Sequence, residues 1–181
     1  MKWSYALPPL LAVLATLPSA AVLAGVFAAV SVQAQALYVP PEGDFSVAFP
    51  APPTAHAQPG KRMNDVSRRR YVVQTAGRAY VLLVEQYPQG MLPPSANAAV
   101  YDRLLRSHAD DSNTELISTR PARLAGLPSL EGTFKDTDGD VEVIRVLMLN
   151  DRIYRLTCAR APGLDDAGED GAFFGSFKLE P

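Results

Sequence analysis

The sequence predicts an α+β fold: antiparallel strands with two helices, following a cleaved N-terminal signal peptide. Three observations predict it. Lys2 is the only charged side chain in the first 36 residues, and that stretch closes on Ala34-Gln35-Ala36. Beyond it, short apolar runs of period two are separated by Gly, Asn and Asp, the pattern of paired strands. One segment, residues 96–109, instead repeats its apolar residues at three- and four-residue spacings, as an amphipathic helix does.

The leader has a short basic start, an apolar stretch from Ala6 to Val32 and a small-x-small close. This is the layout of a secretory signal. The side chains of Ala34 and Ala36 suit the shallow pockets of a signal peptidase and place the cut before Leu37. Ala6–Val32 is also long enough to span a bilayer, so a retained anchor is the alternative. Pro8, Pro9 and Pro18 interrupt that run, and no cysteine lies near it for lipidation. Residues 1–36 are therefore read as the signal peptide and 37–181 as one domain, with no internal repeat.

Of the 181 residues, 48% are hydrophobic and 20% charged, too apolar a balance for a disordered charged tail. Only one stretch could span a membrane, which excludes a polytopic membrane protein. A net charge of −2 leaves no electrostatic footprint for nucleic acid. A single cysteine excludes an intrachain disulfide framework and every multi-thiolate metal site.

Six of the 16 prolines fall in residues 40–59, so most of that stretch reads as loop. Within it Phe45-Ser46-Val47-Ala48-Phe49 is a short strand with Phe45, Val47 and Phe49 on one face. Arg68–Thr75 and Arg78–Tyr87 form a hairpin turned at Gly77. Ser95 follows two prolines and suits a helix N-cap. From there Val100, Tyr101, Leu104, Leu105 and His108 line one face of a helix that Asp110-Asp111-Ser112-Asn113 ends. Thr114–Thr119 is a short strand and Pro121–Gly126 a turn region. Ser129–Lys135, Val141–Asn150 and Arg152–Arg160 then complete a meander, with turns at Asp136–Asp140 and Asn150-Asp151. A short closing helix is placed at Asp165–Phe174.

Candidate chemistry is sparse. Asp136, Asp138, Asp140 and Glu142 alternate like the opening of a calcium loop, but Val141 stands where glycine is needed and Leu147 where a bidentate Glu is needed. A solvated hairpin turn explains them. Asp165, Asp166, Glu169 and Asp170 fit the start of a helix, where acids stabilise the dipole. In Arg68-Arg69-Arg70 the strand alternation sets Arg69 opposite its two neighbours, so no flat basic patch forms. His56 lies in the proline-rich loop, and His108 near a helix C-terminus, where the dipole favours it. A Cys158–His108 nucleophile pair is open, although Cys158 sits in an alternating strand as a small hydrophobe does. Neither catalytic, cofactor nor metal residues are assigned. A ligand cleft between sheet and helix, rimmed by Tyr71, Tyr80, Tyr87 or Tyr101, is the remaining small-molecule reading.

The segment Leu37–Pro53, with Phe45-Ser46-Val47-Ala48-Phe49-Pro50, resembles the "F-S-V-x-F-P-x-x-P" opening of small exported bacterial proteins. Phe173-Phe174-Gly175-Ser176-Phe177-Lys178-Leu179 resembles their "F-F-x-S-F-x-L" ending. Those proteins resemble the PsbP-like and DcrB-like α/β/α sandwich. The resemblance implies an antiparallel β-sheet flanked by helices packed on it, and it carries over no catalytic residue.

The function read from the sequence is an exported, non-catalytic binding or accessory protein of the cell envelope, periplasmic or secreted. It expects no cofactor, an unknown protein or small-molecule partner there, no nucleic acid, and no membrane contact except through an uncleaved leader. The alternative is an extracytoplasmic hydrolase with an unrecognised Ser or Cys nucleophile, and calcium-dependent adhesion through Asp136–Glu142 is a third reading. N-terminal sequencing of the exported protein should begin at Leu37; a start at Met1 would defeat the cleavage.

Overall fold

A computed structural model describes residues 36–60, 65–93, 98–165 and 168–180. The first strand, β1 (Ala36–Tyr38), pairs antiparallel with β2 (Phe45–Phe49), and β3 (Thr54–Gln58) follows. The hairpin β4 (Ser67–Thr75) and β5 (Arg78–Gln86) leads into α1 (Ala98–Ser112). Then come β6 (Glu115–Leu124), β7 (Leu127–Lys135), β8 (Val141–Leu149) and β9 (Arg152–Arg160). The chain closes with α2 (Glu169–Ser176) and β10 (Lys178–Leu179).

Seven strands form one antiparallel sheet in the order β3-β4-β5-β9-β8-β7-β6, and β1-β2-β10 form a second, small one. From β5 the chain crosses by α1 to the far edge of the large sheet. It then meanders back through β6, β7 and β8 until β9 pairs with β5 along nine residues, Arg78↔Arg160 to Gln86↔Arg152. The small sheet joins both ends of the domain, because Leu179 pairs with Phe45 and Lys178 with Ser46. This is the expected antiparallel sheet flanked by helices, with the two ends of the domain meeting in one small sheet.

Period-two alternation gives the large sheet two different faces. On one, Tyr71, Val73, Tyr80, Leu82, Val84, Leu147, Tyr154, Leu156 and Cys158 meet the small sheet and α2. There Phe45, Phe49 and Phe173 are completely buried, with ring centroids 5.3 Å apart for Phe49–Phe173 and 5.9 Å for Phe45–Phe177. The other face packs Phe134, Ile144, Val146, Met148 and Ile153 under Tyr101 and Leu105 of α1. Tyr101 fixes that helix: its hydroxyl donates to the Pro128 carbonyl and accepts the Met148 N–H.

Several elements depart from the sequence expectation. The proline-rich stretch contains one strand besides Phe45–Phe49, namely β3, and β1 lies just before it. Both lie at sheet edges, where prolines such as Pro50, Pro52 and Pro53 can flank a short pairing without breaking a ladder. The residues Pro121–Arg123 are strand, not turn. Pro121 pairs opposite Leu130 in the edge strand β6, where a missing N–H faces outward at no cost. The real turn is Ala125-Gly126, both at positive φ, as a two-residue hairpin requires. Helix α1 runs through Asp110–Ser112 and stops at Asn113, whose φ is 57°. Helix α2 begins at Glu169, after Gly168 at φ 80°, so Asp165 lies outside it. Ser95, the expected N-cap, Asp166 and Ala34 lie outside the described residues.

Replacing Phe49 by alanine opens a cavity between the sheets. The expected loss is about 3–5 kcal/mol of folding stability in urea denaturation. A loss below about 1 kcal/mol would show that the two sheets are held together otherwise.

Candidate functional site

The large sheet buries charge as well as hydrocarbon. On the face under α2, strand alternation puts Arg145 between Val143 and Leu147, and the register sets Glu131 of β7 beside it. Glu131 is only 3% exposed. Its Oε2 accepts the Nε–H of Arg145 at 2.7 Å, and its Oε1 accepts that of Arg120 at 2.5 Å. Arg145 also lies over the Phe174 ring, its guanidinium carbon 4.5 Å from the centroid. Ion pair and cation–π contact thus hold that guanidinium from two sides.

Helix α2 brings a second buried acid. Asp170, 5% exposed, accepts from Nη1 of Arg160, and Arg78 stands 3.6 Å away. The neighbouring Glu169 accepts from the Tyr80 hydroxyl at 2.8 Å and lies 3.3 Å from Arg78. Burial first, and then that bond to Glu169, raise the Tyr80 phenol above its ordinary range, so it is the donor at physiological pH. Of the acids predicted to serve the helix dipole, Glu169 and Asp170 therefore have ion-pair partners on β5 and β9.

Between these two ion-pair groups lies a cleft of about 260 Å³ under α2. Ser118 and Arg120 of β6, Glu131 and Thr133 of β7, Val143 and Arg145 of β8, and Arg160 of β9 form its floor; Asp170, Gly171 and Phe174 close it. The sheet–helix cleft expected from sequence exists, but its rim is arginine and acid rather than tyrosine. Tyr71, Tyr80 and Tyr101 are buried, and Tyr87 packs against the α1 side. The signal in the sequence was a charged residue in an inward register, Arg145 between Val143 and Leu147. Its partners become visible only once strands 14 residues apart are paired.

Other sequence candidates resolve differently. Cys158 is 2% exposed on the α2 face, opposite Val143 and Tyr80. His108 sits on the α1 face, its Nε2 2.8 Å from Glu142 and its ring edge-on to Phe134. The sheet lies between Cys158 and His108, so they form no nucleophile–base pair. Partnered by Glu142, His108 is also not explained by the helix dipole, since α1 continues four residues past it. In the Asp136–Asp140 turn, Oδ1 of Asp136 accepts the N–H of both Asp138 and Asp140 at 2.9 Å. With Glu142 turned to His108, the four acids do not converge. Burial, then Asp136 and Asp138, raise the Asp140 carboxyl. Among the described residues no cluster of three or more His, Cys, Asp or Glu is arranged to hold a metal.

Arg69 diverges from Arg68 as expected. It pairs with Glu42 and, through both terminal nitrogens, with Asp44; Arg68 turns to Glu85 on the other face. Burial opposes the charge on Arg69, but the hydrogen bonds and attraction of Asp44 outweigh it and raise the guanidinium further. His56 lies exposed in the edge strand β3, opposite Arg70, not in a loop. Ala36 pairs with Phe49 in β1.

No protein-family model matches the sequence, and no curated protein is similar to it. Among solved structures the chain is similar to cyanobacterial PsbP (CyanoP) from Synechocystis sp. PCC 6803. The TM-score is 0.57 at 12% identity, over 84% of this chain and 96% of that one. A crystal structure from Bacteroides thetaiotaomicron superposes with a TM-score of 0.46 at 8% identity, over 82% of this chain and 49% of the other. The first likeness establishes the fold as PsbP-like and establishes the fold alone.

Glu131→Gln keeps the shape but removes the charge that both arginines share. We expect a stability loss of about 1–3 kcal/mol in denaturant titration. An unchanged midpoint would show that the ion pairs under α2 are ornamental.

Proposed function

We propose that this chain is an exported, non-catalytic binding or accessory protein of the cell envelope, acting through the cleft between its sheet and α2. The observation that carries this reading is the distribution of polar chemistry. Cys158 is buried and lies on the opposite sheet face from His108, while the charged side chains of Arg120, Glu131, Arg145, Arg160 and Asp170 converge on the cleft under α2. Concave sites with a few fixed polar groups are where ligands bind. A PsbP-like scaffold supports the reading without deciding it, because a fold hosts many functions.

Export follows from the leader. A cut after Ala36 keeps Leu37 and Tyr38 in β1, and with Tyr38 the ring contacts to Phe49 at 6.2 Å and Tyr71 at 5.3 Å. Among the described residues such a cut removes only the exposed Ala36, which pairs with Phe49.

The test uses the protein recovered from the extracytoplasmic fraction. Cys158, 2% exposed, should react with a thiol reagent only as fast as the domain unfolds, and at once in denaturant. Fast labelling of the native protein at neutral pH would return the hydrolase reading, and recovery only from the cytoplasm would overturn export.

A further inference from the structure

We propose that the cleft under α2 binds a small oxyanion, a carboxylate or phosphate group carried on an apolar body. This rests on the reading of that cleft as the binding site and names the ligand class it takes.

The argument is a balance of donors and acceptors. Three arginines against two carboxylates leave the lining one net positive charge. The acceptors are occupied: each Glu131 oxygen takes a guanidinium Nε–H, and Asp170 lies between Arg160 and Arg78. Donors are left over. Arg145 uses Nε on Glu131 and Nη1, at 3.4 Å, on the Arg123 carbonyl, which leaves Nη2. Arg160 gives Nη1 to Asp170 and keeps Nε and Nη2. The hydroxyls of Ser118 and Thr133 hold no hydrogen bond among the described residues, and both line the cleft. A site rich in unused donors and short of free acceptors fits a ligand that only accepts, and oxyanions do so.

Pre-organisation adds to this. Glu131 and the Phe174 ring already hold Arg145, so little side-chain freedom is lost on binding. Val143 and Phe174 supply the apolar wall for the rest of the molecule. At about 260 Å³ the cleft takes a small acid rather than a drug-sized ligand.

Two other cavities fit less well. One of about 390 Å³ is lined by Asp44, Asp151 and Glu180 against Arg152, whose guanidinium is held by Asp44 and Gln86. Its charge repels anions. Another, of about 480 Å³ beside Gly126 and Gly175, gathers Arg123 and Lys178 but no hydroxyl and no buried acid to aim them.

The experiment titrates the mature chain with benzoate, phenyl phosphate, inorganic phosphate and neutral benzamide, following backbone amides by two-dimensional NMR. Saturable shifts at Thr133, Arg160 and Gly171 are expected with one or more of the anions and not with benzamide. The strongest of benzoate, phenyl phosphate and phosphate identifies the head group. Ser118→Ala with Thr133→Val removes only unpaired hydroxyls and should weaken binding about tenfold. Arg145→Gln should abolish it, and Arg68→Gln on the other sheet face should leave it unchanged. Shifts with benzamide equal to those with benzoate would overturn the oxyanion preference and leave the cleft as a binding site. No shift there with any of the four compounds would overturn both. Binding indifferent to the Ser118/Thr133 double variant would also overturn the inference.

Discussion

The aromatic layer between the two sheets is the constraint on which the rest depends. Phe45 and Phe49 come from the start of the domain and Phe173, Phe174 and Phe177 from its end, and all are at most 2% exposed. Aromatic side chains each bury large areas, so this layer closes the domain by joining its two termini. The same packing fixes α2, whose Ser176 Oγ accepts the Ala48 N–H at 2.9 Å and donates to the Phe173 carbonyl at 2.7 Å. With α2 fixed, Asp170 and Phe174 necessarily stand over Arg160 and Arg145, and the cleft exists.

Burying carboxylates under a helix is costly unless each is matched. The fold meets this by register. Glu131 lies opposite Arg145 across β7–β8 and opposite Arg120 across β6–β7. The same device recurs on the other face, where Glu85, 4% exposed, stands 2.9 Å from Arg68 and 3.0 Å from Arg155. There the Arg155 approach is an ion pair without an aligned hydrogen bond, and Arg155 Nε and Glu85 Oε2 lack hydrogen-bond partners. Under α2 the excess donors face a cavity. That cavity marks the candidate site.

Strands β4, β5, β7, β8 and β9 were legible because apolar alternation and a Gly or Asn turn coincide at each boundary. Gly77 and Asn150, at φ 72° and 54°, are turn residues by sequence and by structure. Where the reading failed, an edge had changed the rule. Pro121 looked like a strand breaker but sits in an outer strand, and the edge strand β3 lies within proline-rich sequence. At α1, residues Asp110–Ser112 have weak helix propensity yet continue a helix already anchored by Tyr101 and Leu105, so packing overrode local preference.

The sequence by itself determined the alternation of each strand, the amphipathic helix and the aromatic ends, because these depend on residues close along the chain. It also settled that Arg68 and Arg69 point apart, since period two is a local property. Only the tertiary structure decided that Cys158 and His108 lie on opposite faces, that Glu142 partners His108, and that Arg120, Arg145 and Arg160 gather around Glu131 and Asp170. Those relations depend on strand order and register between segments far apart in sequence. A one-residue slip would turn each of those side chains to the other face.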